Sequence, residues 1–197
     1  MQRIVFASNN AGKVREVDQL LNTVGFTVLP QREFGVPDAA ETGLTFVENA
    51  LLKARNACEH TGLAAIADDS GLEVDALDGE PGIYSARYAG EGAGDAANNS
   101  LLLGELAGVP EAERTARFRC VMVYLRHRED PAPLLCQGIW EGRILEAERG
   151  DGGFGYDPLF WVPGQEASAA ELPPELKNRL SHRGQALRAL LAALGAS

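Results

Sequence analysis

Residues 45–71, TFVENALLKARNACEHTGLAAIADDSG, change hydrophobic period from one end to the other, and that change decides the fold class. Thr45-Phe46-Val47-Glu48 has the capping-box pattern, in which threonine and glutamate side chains satisfy free amides at a helix start. Behind it, Val47, Leu51, Ala54 and Cys58 fall on one apolar stripe, while Asn49, Lys53, Asn56 and His60 form a polar stripe at the same spacing. Leu63 to Ala67 is then a short apolar run that reads as a buried strand, ending at Asp68-Asp69-Ser70-Gly71. A helix feeding a buried strand is a unit of mixed α/β architecture.

The alternation continues outward. Upstream, Arg3 to Ala7 reads as a buried strand and Ser8 to Lys13 as a polar loop. Val14, Val17, Leu20, Leu21 and Val24 then recur at helical spacing, with Gly25 as the stop. Downstream, a helix is expected from about Asp95 to Ala107, and Phe118 to Leu125 is the clearest strand of the chain. Leu134 to Trp140 and Arg143 to Ala147 read as two strands joined by a tight turn at Glu141-Gly142. Gly150 to Pro158 carries four glycines and a proline and must be a loop; a strand at Leu159 to Val162 follows it. The last helix carries Ala186, Leu187, Leu190, Leu191 and Leu194. With no repeat and no Ser/Gly linker, residues 1–197 are expected to form a single domain of mixed α/β class.

Composition narrows the function. The formal charge of −10 argues against broad, sequence-independent binding to nucleic acid, which needs a basic surface. A small polyanion remains possible, because a few lysines in a cleft with a divalent cation can hold phosphates on an acidic protein. No apolar run approaches the roughly 18 residues of a membrane span, and the N-terminal apolar stretch is too short for a signal-peptide core. The expectation is therefore a cytoplasmic protein. Cys58, Cys120 and Cys136 are widely spaced without any CxxC pair, which fits plain burial in a reducing compartment.

Four segments could carry chemistry. Ser8-Asn9-Asn10-Ala11-Gly12-Lys13 lies before a helix, where outward amides attract anions, but it is not a P-loop: Ala7 and Val14 stand where a glycine and a Ser/Thr belong. A solvated polar loop is the alternative. Asp68-Asp69 places two carboxylates at a buried strand end, where Mg²⁺ is a natural compensator and Glu41 and Glu48 could complete an acidic cluster; an Asp-Ser-Gly turn is the alternative. Phe154, Tyr156 and Asp157 sit in the glycine loop, where a ring could stack on a base and a carboxylate accept from ring N–H groups. Ser181-His182-Arg183-Gly184 opens the last helix with Lys177 before it; an N-cap followed by solvated bases is the alternative.

Taken together, SNNAGKVREV, ETGLTFVENALLKAR, ADDSGLEVDAL, PGIYSARYAG, GGFGYDPLF and SHRGQAL resemble, in order, the inosine triphosphate pyrophosphatase family, in particular its bacterial members acting on dITP and XTP. The resemblance implies a long central mixed β-sheet flanked by helices, two lobes with a substrate cleft between them, and a homodimer. It implies Mg²⁺-dependent cleavage between the α- and β-phosphates of faulty purine nucleoside triphosphates, giving monophosphate and pyrophosphate. Ser8, Asn9, Asn10, Ala11, Gly12 and Lys13 would hold phosphates, and Lys53 would reach another. Asp69 would accept a proton and bind metal, with Glu41 and Asp68 as further metal ligands. Ser70, Phe154, Gly155, Tyr156, Asp157, Lys177, His182 and Arg183 would contact the substrate, the last seven around its base. Asn9 departs from the glycine common in relatives, and Pro173-Pro174 stiffens the approach to Lys177. Other readings are a pyrophosphatase for a modified pyrimidine nucleotide, or a nucleotide sensor without turnover.

Overall fold

The computed structural model describes residues 2–9, 13, 14, 17, 18 and 21–195. Seven strands form one mixed sheet in the order β2-β1-β3-β4-β5-β6-β7: β1 (Gln2–Phe6), β2 (Phe26–Pro30), β3 (Ala64–Val74), β4 (Thr115–Leu125), β5 (Leu134–Ile144), β6 (Phe160–Val162) and β7 (Ala167–Ser168). β1 runs parallel to β2 and β3, whereas β6 runs antiparallel to both of its neighbours, β5 and β7. The helices are α1 (Phe46–Thr61), α2 (Asp95–Glu105), α3 (Pro174–Leu180) and α4 (His182–Gly195). Val14, Val17, Asp18 and Leu21 are helical, as the spacing predicts, and Val17 and Leu21 are buried; Lys13, read as the end of the polar loop, is already helical.

The chain divides into two compact units, residues 1–69, 120–137 and 185–197 in one, and 70–119 and 138–184 in the other. The first has two apolar clusters. Ile4, Phe6, Val28, Ile66 and Met122 pack with Ala186, Leu187 and Leu190 of α4, while Val5, Ala65, Ala67 and Val123 pack with Ala50, Ala54 and Cys58 of α1. Adjacent strand residues point to opposite faces, so Ile4 and Val5 serve different clusters. The second unit is built on Leu72, Leu102, Leu106, Phe118, Trp140, Tyr156 and Phe160. All three cysteines are buried thiols outside any disulfide, as the sequence predicts, and burial pushes the Cys58 thiol up to about 11.

α1 starts where the capping box predicts. Thr45 Oγ1 accepts the Glu48 amide at 3.2 Å, and Glu48 Oε2 accepts the amide of Leu44 and the hydroxyl of Thr45. Asn49, on the polar stripe, is fully buried, and its Oδ1 accepts the Gly43 amide at 2.8 Å from the preceding loop. Two local expectations need correction. β3 does not end at Asp68-Asp69-Ser70-Gly71; it runs through to Val74. No turn interrupts β5 at Glu141-Gly142 either. Gly142 is there because a Cβ would lie 2.5 Å from Phe160 Cζ and from the Trp161 carbonyl oxygen of β6, so the strand passes only as glycine.

Candidate active site

In the first unit, β3 and α1 deliver the charged groups. Asp68 and Asp69 are adjacent residues of β3. Each meets its own lysine: Lys13 Nζ donates to Asp68 Oδ2 at 3.0 Å, and Lys53 Nζ to Asp69 Oδ1 at 2.8 Å. Lys53, on α1, also donates to Glu41 Oε1 at 2.9 Å. One ammonium therefore binds two carboxylates. Ser8, Asn9, Lys13, Glu41, Lys53 and Asp68 all line a cavity of about 360 Å³, within the size range of small-ligand pockets.

The electrostatics of this group are strained. Burial raises the Asp69 carboxyl above its ordinary range, and the Glu41 and Asp68 charges add to the shift while Lys53 opposes it. For Lys53, burial alone works to lower the pKa. The attraction of Asp69 and Asp68, with hydrogen bonds to Asp69 and Glu41, outweighs it, so the net shift is upward and the ammonium stays charged. A buried carboxylate whose pKa is pushed upward becomes a better proton acceptor near neutral pH, provided it is ionised.

Among the described residues no three acid, imidazole or thiol groups converge into a ready metal cage. The donor set nevertheless fits a hard cation. Glu41, Asp68 and Asp69 offer only oxygens, and two ammonium groups sit on them. Mg²⁺ commonly binds through one or two carboxylates plus substrate phosphates and keeps several waters, so it needs no complete protein cage.

The phosphate loop is placed in part. Ser8, Asn9 and Lys13 line the cavity, and the Asn9 carboxamide donates to Asp38 Oδ1, also in its wall, at 2.8 Å. Asn10, Ala11 and Gly12, expected as phosphate contacts, lie outside the described residues.

In the second unit, the glycine loop, α3 and the start of α4 bring most of the expected base-side residues together. Lys177 pairs with Asp157 Oδ2, which also accepts the Phe154 amide at 2.8 Å. The Phe154 ring is exposed, with Lys177 Nζ 5.0 Å and Arg183 Cζ 5.6 Å from its centroid. Arg183 also donates to Ser70 Oγ at 3.1 Å. His182 is buried, and its ring stacks on Phe118 at 4.8 Å. Ser181 Oγ accepts the Gly184 amide at 3.1 Å, the N-cap role open to it in the sequence. Tyr156 requires a correction: its side chain is not available for stacking on a base. It lies in the apolar cluster, and its hydroxyl donates to the Ser85 carbonyl at 2.8 Å.

Sequence reasoning missed Asn49, Asp95, Asn98 and Asn99. Asn98 Oδ1 accepts the Ala89 amide at 2.8 Å, and Asp95 and Asn99 bind Gly155. The available signal was the pair Asn98-Asn99 inside a helix, where asparagine has poor propensity and is better explained by a specific bond.

Comparison with known proteins matches residues 4–193 to the Ham1 family model. The chain is 64% identical over 192 residues to a dITP/XTP pyrophosphatase of Thioalkalivibrio sulfidiphilus, covering 98% of both chains. It is 60% identical over 196 residues to a dITP/XTP pyrophosphatase of Vibrio parahaemolyticus, covering 100% of this chain and 98% of that one. The solved structure of a HAM1 protein from Coxiella burnetii superposes with a TM-score of 0.96 at 49% identity, covering all of both chains.

Proposed function

The chain belongs to the Ham1 family, and on that premise we propose that it hydrolyses faulty purine nucleoside triphosphates (dITP, ITP and XTP) to the monophosphate and pyrophosphate. Such an activity keeps these nucleotides out of DNA and RNA. The observation that carries the reading is the group of Glu41 and the buried Asp68 and Asp69 bound by Lys13 and Lys53, with Glu41, Asp68 and both lysines lining a cavity of about 360 Å³.

In this reading Asp69 takes the proton of the attacking water at its carboxylate as oxygen bonds to the α-phosphorus and the bond to the β-phosphate bridging oxygen breaks. Lys13 and Lys53 meet the negative charge that gathers on the departing pyrophosphate. Ser8 and the loop up to Lys13 bind phosphate oxygens. Glu41, Asp68 and Asp69 would hold Mg²⁺, which when bound neutralises phosphate charge and makes pyrophosphate a better leaving group.

On the base side, Phe154 supplies a stacking face, and Ser70, Asp157, Lys177, His182 and Arg183 supply polar contacts. Donors at His182 and Arg183 can bond the 6-keto oxygen of hypoxanthine or xanthine, whereas an adenine amino group leaves them unpaired at a cost of about 1–3 kcal/mol each. Guanine shares the 6-keto group, so its rejection must rest on the 2-position. The proposal extends to a single catalytic domain acting as a homodimer in the cytoplasm on free nucleotide, without nucleic-acid or membrane partners. The net charge of −10 supports it, and among the described residues no helix is long and apolar enough to cross a membrane.

The deciding assay is pyrophosphate release from dITP, ITP and XTP against dATP and dGTP, with Mg²⁺ or with EDTA. Mg²⁺-dependent release from the first three, with little from the other two, is the expected result. No release from any nucleotide refutes the reading.

A further inference from the structure

Phe154-Gly155-Tyr156-Asp157 closes as a β-turn, with the Asp157 amide donating to the Phe154 carbonyl at 3.3 Å. Gly155 has φ +62° and Tyr156 φ −86°, ψ 7°, which suit a type II′ turn with glycine first of the two central residues. Both polar backbone groups of Gly155 are captured by one helix. Its amide donates to Asp95 Oδ2 at 2.6 Å, and its carbonyl accepts Asn99 Nδ2 at 3.2 Å. Asp95 and Asn99 are one turn apart on α2, so a single helical face grips one peptide unit on each side of the glycine.

The orientation of Asn99 is settled by its partners. Its Nδ2 also donates to Glu148 Oε1 at 2.8 Å, and two acceptors on one atom identify that atom as the nitrogen. Asn99 is buried, and among the described residues its Oδ1 has no hydrogen-bond partner. Asn98, the next residue, bonds the Ala89 amide and thereby ties a second loop to α2. The Phe154 ring next to the turn is more than half exposed, with Lys177 and Arg183 over it and its backbone amide held by Asp157.

We propose that Asp95 and Asn99 are positioning residues for nucleobase selection: by holding Gly155 they fix the Phe154 ring and the Asp157–Lys177 pair in the geometry that meets the base. The inference rests on the pyrophosphatase reading above. A loosened turn lets Phe154 and Asp157 occupy several arrangements, so the base must order them on binding and a wrong base is rejected less well.

The test uses the full-length enzyme and the variants Asp95→Ala, Asn99→Ala and Asp95→Asn. For the two alanine variants, KM for dITP rises about tenfold with kcat within about threefold, the equivalent of one hydrogen bond at about 1.4 kcal/mol. The dITP/dGTP ratio of kcat/KM narrows by a similar factor. Hydrogen exchange quickens across 150–158 but not across 64–74. Inhibition by inorganic tripolyphosphate, which has no base, stays at the wild-type level. Asp95→Asn recovers most of the loss, because its amide oxygen still accepts the Gly155 N–H. A folded Asp95→Ala with unchanged KM, selectivity and exchange overturns the proposal while leaving the pyrophosphatase reading intact. Loss of tripolyphosphate inhibition in step with KM also overturns it, by showing general damage. Wild-type enzyme that cleaves neither nucleotide overturns the pyrophosphatase reading, and this role with it.

Discussion

Gly153→Ala adds one methyl group where the base-side contacts are densest. A Cβ at this position would overlap the Asp157 carboxylate and lie 2.9 Å from Lys177 Nζ. Gly153 also has φ +76°, where an L residue costs about 1–2 kcal/mol. Asp157 is nearly fully buried and cannot swing into water, so displacing it breaks its bonds to Lys177 and to the Phe154 amide. Losing hydrogen bonds to a charged group costs about 1.5–3 kcal/mol, which brings the expected destabilisation to about 3–5 kcal/mol. For a chain of this size that is a fall in Tm of about 6–20 °C. Gly164→Ala is the control. Its φ is +77° and a Cβ there meets nothing within 4 Å, so it should lose only the backbone share, about 1–2 kcal/mol. Thermal unfolding of both variants measures the difference, and nucleotide kinetics should show KM for dITP raised at least tenfold in Gly153→Ala alone. If Gly153→Ala loses no more stability than Gly164→Ala and keeps its KM, the overlap with Asp157 is not real and the reasoning fails.

Two further outcomes follow from the charges. Asp69→Asn should lower turnover by about 10²–10⁴ with its circular dichroism unchanged, since a general base contributes about that much; near-normal turnover in a folded variant removes Asp69 from the mechanism. Asp75 accepts from Arg117 at 2.8 Å on each oxygen and from Thr115, and these hydrogen bonds lower its pKa to about 2. The unfolded chain then binds the proton more readily than the folded one. The stabilisation is complete above about pH 4, near the unfolded carboxyl's pKa, and is lost as pH falls toward 2. Because the pair is open to solvent on the Asp75 side, screening limits it, and Arg117→Gln should cost about 1 kcal/mol at pH 7, with the gap to wild type closing as pH drops from 5 to 3. Urea midpoints across that range measure it, and a gap that widens in acid contradicts the assignment.

Features that depend on a few neighbouring residues were legible in the sequence. The Thr45–Glu48 cap, the Leu51–Ala54–Cys58 stripe, the alternation of helix and strand, and the burial of the three cysteines follow from side-chain size and the 3.6 or 2.0 period. The candidate site was legible as a set of residue types: acids at 68 and 69, lysines at 13, 53 and 177, and the glycine loop. Which of these groups meet was decided by tertiary structure. Lys53 reaches Asp69 across 16 residues, Lys13 reaches Asp68 across 55, and Asp95 reaches Gly155 across 60. No local pattern encodes such pairs, because they form only once the sheet has brought distant strands and helices together. The same cause explains the misread turns. Asp68-Asp69-Ser70-Gly71 and Glu141-Gly142 have turn chemistry, yet β3 and β5 continue through both, since the ladder of neighbouring strands overrides local preference. Asn49 and Tyr156 look like surface polar groups in a one-dimensional pattern. Both are buried: Asn49 Oδ1 accepts the Gly43 amide and the Tyr156 hydroxyl donates to the Ser85 carbonyl, and those partners lie outside the helix and the turn that carry them.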